Sequence, residues 1–270
     1  MSDPTFTAAN LVAPDEAPPF RWIAEATSRP LLVTVDHASN AVPRSLGGLG
    51  LGPADLERHI AWDPGAETAG LAFAEALGGA CIASSWSRLV CDLNRSPGDP
   101  TQMPEVSDGT AVPGNQGLGD AARQARLTAL FEPYHDAIAG WLDARDAAGQ
   151  GAVVVSMHSF TPSLADGALR PWQVGVLWDP ADGRIARALL AALEAERAID
   201  AALVFGDNLP YSGNNPAGHT METHALPQGR PHVSIELRQD LITTPEAAAA
   251  WGRRVARLTA PILEALEAGQ

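Results

Sequence analysis

The chain of 270 residues contains no lysine; all 18 of its basic residues are arginine. That absence removes the P-loop lysine, the pyridoxal Schiff base and every lysine nucleophile at once. Cysteine is nearly as scarce, with only Cys81 and Cys91 present. Two cysteines in apolar surroundings make neither a disulfide framework nor a cysteine zinc pattern, and both are expected in the core. Basic charge is short overall, 18 residues against 32 acidic ones, for a formal net charge of −14. A nucleic-acid backbone or an anionic membrane surface is therefore excluded as the expected partner. No uninterrupted apolar run approaches the ~20 residues of a membrane span. The opening residues, MSDPTFTAANLVAPDEAPP, carry neither a basic stretch nor an apolar one. They do not read as a secretory signal, and a cytoplasmic protein is expected.

What is present is an alternation of short apolar runs with helical periodicity. The run 31–35, LLVTV, is β-branched, bounded by Pro30 and followed by a polar break, as a buried parallel strand reads. Further strands are expected at 80–85, 89–93, 152–157, 172–178, 202–206 and 232–237. Helices are expected at 65–77, 119–147 with a kink at Pro133, 181–197 and 245–268. The alternation predicts a single α/β domain over 20–270, after an extended lead-in at 1–19. Its central sheet is mainly parallel but mixed, with helices on both faces. The stretch 94–116 is rich in proline and glycine without periodicity, and a loop of that length suggests a role such as a substrate lid. The Gly-rich loop 47–52 lacks both the GxGxxG order and a lysine, so no phosphate is assigned to it.

Two strands deliver a histidine at their far end, His37 after LLVTVD and His158 in VVVSMH. In open α/β sheets ligands sit beyond the carboxyl ends of strands. Two such histidines with acids nearby point to a metal site, for which three protein ligands and an open position suit a catalytic zinc. Asp63, in HIAWDPG, is the preferred third ligand, although an aspartate there could equally cap the following helix. Asn40 is the alternative, since His37-x-x-Asn40 has ligand spacing, but an amide is a poor zinc ligand. Asp36 is assigned to orienting its neighbour His37. Glu236 ends the strand VSIE and is assigned as the general base. Asn94 and Arg95 follow another apolar run, and arginine's planar fork suggests an anionic substrate. A salt bridge from Arg95 to Asp92 or Asp99 is the competing reading. His219 and His224, on the loop before the last strand, are candidates for oxyanion or substrate contacts. His135, inside a helix, is expected to be a partly exposed structural residue, and His232 to be structural as well.

The motifs DHASNAVP, HIAWDPGA, SRLVCDLNRSP, MHSFTP, NLPYSG, ETHA and VSIELRQDL occur in that order between about Leu31 and Leu241. In that order and spacing the chain resembles the N-formylglutamate amidohydrolase (deformylase) family. That family is similar in fold to zinc carboxypeptidases and zinc muramoyl amidases. The resemblance implies His37 and His158 as ligands of one zinc ion and Glu236 as general base. In the carboxypeptidase-like relatives a ligand glutamate stands where this chain has Asn40; the amidases take an acid that matches Asp63. It also implies Asn94 and Arg95 as holders of a substrate carboxylate. The expected activity is cleavage of the amide C–N bond of a small anionic N-acyl amino acid such as N-formylglutamate. A peptidoglycan-type amidase or carboxypeptidase and a non-catalytic binding protein of the same fold are the alternatives.

Overall fold

The structure, a computed structural model, describes residues 7–25, 27–164, 167, 169–213 and 218–269. In chain order it runs α1 (Ala8–Leu11), β1 (Phe20–Ala24), β2 (Leu31–Val35), α2 (Pro53–Leu56), α3 (Ala66–Leu77) and β3 (Ala80–Ser84). A small hairpin, β4 (Val106–Ser107) and β5 (Thr110–Ala111), precedes α4 (Asp120–Arg126) and α5 (Glu132–Ala147). Then come β6 (Val153–Phe160), β7 (Val174–Leu177), α6 (Arg184–Glu196), β8 (Phe205–Asp207), α7 (His219–His224), β9 (His232–Arg238) and α8 (Pro245–Ala268).

Seven strands form one sheet in the order β1-β3-β2-β6-β9-β7-β8. β3, β2, β6 and β9 are mutually parallel. β1 joins β3 antiparallel and β7 joins β9 antiparallel, so the sheet is mixed. Alternation along β2 divides the core as the pleat requires. Leu31, Val33 and Val35 pack with Phe73 of α3, Leu189 of α6 and Val255 of α8. Leu32 faces the other side, with Tyr134 and Ile138 of α5. Each of these β2 residues is fully buried, worth about 1.5–3 kcal/mol per large side chain. Among the described residues no helix is long and apolar enough to cross a membrane.

Several sequence expectations need correction. The apolar run 89–93 is not a strand; it forms turns that bury Leu89, Val90 and Cys91 without sheet partners. Of the lead-in at 1–19, the described part includes the short helix α1, which buries Leu11 completely. The helix expected at 119–147 is interrupted by a π-helical turn at Leu127–Phe131, just before Pro133, which lacks the N–H for the regular ladder. The long stretch 94–116 is pinned rather than loose: Gln102 Nε2 donates to the Arg95 carbonyl, and Asn115 Nδ2 to those of Leu89 and Pro104.

β2 connects through α3 to β3 on one side, while β6 continues to β9 on the other. The crevice between β2 and β6 is therefore the switch point of the sheet, where such folds bind their ligands.

Candidate active site

His37 leaves the end of β2 at that switch point, and His158 lies near the end of β6, directly opposite Glu236 of β9 in the strand register. Asp63 arrives from the loop that follows α2, held there by its own N–H, which donates to the His37 carbonyl at 2.9 Å. Its side chain does not cap α3. Gly65 occupies the N-cap position with φ 79°, and a Cβ there would stand 2.6 Å from the Ile242 carbonyl oxygen. The turn is thus left to glycine, and the Asp63 carboxylate points into the crevice.

The Nδ1 atoms of His158 and His37 lie 2.9 Å and 3.3 Å from the same oxygen, Asp63 Oδ2. All three side chains are buried, and their possible ligand atoms lie within 4.8 Å of one another. Each imidazole is fixed from behind through Nε2. His37 Nε2 donates to Asp92 Oδ1 at 2.7 Å. His158 Nε2 donates to Ser156 Oγ at 2.9 Å, and Ser156 in turn donates to Asp36 Oδ2 at 3.3 Å. Asp36 therefore orients His158, not its neighbour His37. Adjacent extended residues point to opposite sides, and the Asp36 side chain leaves with the Thr34–Ser156 row, where it also accepts from Tyr134 and Thr220. Such partners behind each imidazole are the usual companions of metal-ligating histidines.

The charge balance fits a cation. Asp36, Asp63 and Asp92 are buried around a single guanidinium, Arg88, which bonds Asp92 through Nε and Nη2 and reaches Asp63 Oδ1 at 3.4 Å. With both imidazoles neutral the cluster lacks two positive charges, the charge of a divalent ion. Burial alone would push His158 down, but the Asp36 and Asp63 carboxylates hold it well above the usual range. His37 is also raised; burial and Arg88 oppose this, and Asp92 and Asp63 outweigh them. Two imidazoles and a carboxylate around one point are a donor set suited to zinc and its neighbours in the first transition row.

The cavity in front of this group has a volume of about 340 Å³. Glu236, Asn94, Arg95, Arg88 and Tyr211 line it together with His37, Asp63 and His158. Glu236 is buried, and among the described residues its Oε2 has no hydrogen-bond partner. Burial pushes its carboxyl up to about 7, where a general base is most useful near neutral pH. Arg95 makes no ion pair among the described residues; its Nη1 donates to the Asn94 carbonyl. Asp92 is taken by Arg88 and His37, and Asp99 Oδ1 by Thr101, so neither expected salt bridge forms. Asn94 Oδ1 accepts from the Thr220 N–H close to Gly218, where φ is 93° and an added Cβ would stand only 2.6–3.0 Å from the Asn94 amide.

Three predicted residues stand outside the cavity. Asn40 Nδ2 donates to the Leu56 carbonyl and to Glu57 Oε1, tying the loop to α2. His219 sits 3.0 Å from Ser96 Oγ and packs edge-on against His135. His224 is buried against His135, which is itself buried rather than partly exposed. His135 Nε2 donates to the Leu93 carbonyl at 2.8 Å, so its Nδ1 is an acceptor and receives the Nε2–H of His224 at 2.9 Å. The pair thereby fixes the residue that precedes Asn94 and Arg95. Asp92, Arg88 and Tyr211 were not singled out from the sequence as site residues. Asp92 lies in the misread segment 89–93 and Arg88 directly precedes it, and Tyr211 sits in a loop without periodicity.

The histidine pair carries a pH prediction. Burial, and then the neighbouring histidines, push His135 down to about 3 and His224 to about 4. Both values lie below the ~6.5 of an unfolded histidine, so the unfolded chain binds more protons as pH falls. The stability contributed by the neutral pair is complete above pH ~6.5 and is lost between there and pH ~4, by about 1.4 kcal/mol per pH unit for each group. Urea unfolding at pH 7, 6 and 5 should show a shallower pH slope for His224→Gln than for the wild type. Equal slopes would refute this.

Comparison with known proteins adds an identity to this geometry. Residues 29–243 match the family model described as N-formylglutamate amidohydrolase. A curated relative, the N-formylglutamate deformylase of Pseudomonas aeruginosa, is 30% identical over 209 residues, covering 72% of this chain and 76% of the relative. Among solved structures, a gene product of Agrobacterium tumefaciens superimposes with a TM-score of 0.87 at 36% identity, covering 96% of this chain and all of that one. The N-formylglutamate amidohydrolase of Ralstonia eutropha has the same fold, with a TM-score of 0.64 at 20% identity over 94% of this chain and all of that one.

Proposed function

Since the chain belongs to the N-formylglutamate amidohydrolase family, we propose that it is a zinc-dependent hydrolase of a small N-acyl amino acid with a free carboxylate. N-formylglutamate, for which its relatives are named, is the substrate proposed. The observation that carries the reading is a Glu236 oxygen with no partner among the described residues, in the same cavity as the His37–Asp63–His158 group and an arginine that pairs with no described carboxylate. When bound, zinc polarises the scissile carbonyl and lowers the pKa of water.

His37, Asp63 and His158 would hold the ion, with Asp92 and Asp36 keeping the two imidazoles turned toward it. Glu236 takes a proton from the attacking water and returns it to the departing nitrogen, so one carboxyl serves as base and then as acid. A value near 7 suits both duties. Arg95 grips the substrate carboxylate, with Asn94 beside it, and sets the amide against the base. The purified protein should contain about one zinc per chain and release formate from N-formylglutamate. A chelator should abolish the release and added zinc restore it. Undiminished turnover by metal-free protein would sink the reading.

Arg95→Ala tests the substrate grip. A hydrogen-bonded charge pair is worth about 1.5–3 kcal/mol, so KM should rise about 10–100-fold with kcat less affected. Unchanged KM values for N-formylglutamate would remove Arg95 from this role.

A further inference from the structure

Away from the active site lies a second cavity, of about 410 Å³, between α1, the Gly-rich loop, the turn at 113–118 and α4. Leu11, Leu46, Leu49, Pro113, Leu118 and Ala122 form the apolar part of its wall, and Ser45, Gln116 and the loop glycines the polar part. Arg126 of α4 also lines it and is only 3% exposed. Nη1 of this arginine donates to the Val90 carbonyl at 3.0 Å and to Asn115 Oδ1 at 2.7 Å, and Nη2 to the Gly114 carbonyl at 3.1 Å. Every acceptor is neutral. Among the described residues no carboxylate pairs with Arg126, nor with nearby Arg123, whose Nε donates to the Leu118 carbonyl. Most arginines of this acidic chain do find a carboxylate, so a buried one in a cavity wall without one stands out.

Among the described residues the Nε–H of Arg126 meets no acceptor, and Nη2 makes only its one bond to Gly114. Nε and Nη2 make up one edge of a guanidinium, the fork that takes both oxygens of a carboxylate. A buried cation with only neutral partners is costly, and an anion on that edge would offset the cost. Consistent with this, burial pushes the Arg126 guanidinium down to about 10. We propose that this cavity is a second ligand site, for a small organic carboxylate with an apolar body. The carboxylate meets the free edge of Arg126, and the hydrocarbon lies against Leu46, Leu49 and Leu118. The same guanidinium holds the Val90 carbonyl, so the occupant rests behind the segment that carries Asp92.

Hexanoate is the probe, titrated calorimetrically into the full-length protein. Because Arg95 offers a competing cation, the titration is made on the wild type and on Arg95→Ala. Binding should persist in Arg95→Ala and should weaken at least tenfold when hexan-1-ol replaces hexanoate. It should also weaken at least tenfold in Ala122→Phe, which fills the cavity from a half-buried helix position, and in Arg126→Gln, with folding of both variants checked by circular dichroism. No binding to the wild type overturns the proposal. So does binding that disappears in Arg95→Ala and is untouched by Ala122→Phe, which would place hexanoate in the active site.

Discussion

Replacing Glu236 by glutamine is expected to lower kcat by about 10²–10⁴-fold, the usual worth of a positioned general base, while the protein keeps its metal. Glutamine preserves the size of the side chain and the hydrogen bonds of β9 to both neighbouring strands, but cannot take a proton. The wild-type carboxyl is buried and one of its oxygens has no partner among the described residues. The native state therefore already bears the strain of this group, as functional groups often require. Removing the charge should leave the melting temperature unchanged or higher. Activity and metal content measured together settle the role: normal turnover excludes Glu236 as the base, and loss of metal in parallel would make it a ligand instead.

His158→Ala is expected to act on a different quantity. His158 Nδ1 and Asp63 Oδ2 are 2.9 Å apart, and behind the ring stand Ser156 and Asp36. Truncation removes a proposed ligand and leaves two buried carboxylates facing an emptier space. Metal content should fall to below about a tenth of the wild-type level and activity with it, by at least ~10³-fold, since the ion supplies several kcal/mol of the catalysis. A metal that binds only the folded chain also stabilises it. A chelator should therefore lower the melting temperature of the wild type and leave that of His158→Ala unmoved. Retention of a full equivalent of metal by the variant would contradict the assignment. The two substitutions separate base from ligand: one silences the enzyme with its metal in place, the other by emptying the site.

Much of this site was legible because strand ends are legible. LLVTV and VVVSMH announce buried parallel strands, and whatever follows them must sit at the active edge of the sheet. Glu236 was legible for the same reason, being a carboxylate in an otherwise apolar run. What could not be read were partners brought by irregular backbone. Leu89–Leu93 has the composition of a strand, yet it folds as turns, and Asp92 reaches His37 only because of that. Sequence adjacency misled in the same way for Asp36, whose side chain leaves on the opposite side from His37 and serves His158. His219 and His224 carry the same chemical suggestion as His158, but α7 turns them toward His135 and away from the cavity. β1 was missed because Phe20–Ala24 is only half-buried along its whole length, which leaves no alternation to detect.

β9 is bonded on both sides, to β6 and to β7, and Glu236 sits between His158 and Gly175 in that ladder. The floor of the cavity is therefore woven into the middle of the sheet, whereas Arg95, Tyr211 and Ser212 reach it from connecting segments. On the proposed reading, chemistry and selectivity are housed in parts of the chain that can change independently. Insertions or exchanges in those connections alter who is admitted without disturbing what is done to the guest. For an engineer seeking a new acyl amino acid, the segments around Arg95 and Tyr211 are the place to diversify, and β6 and β9 are the place to leave alone.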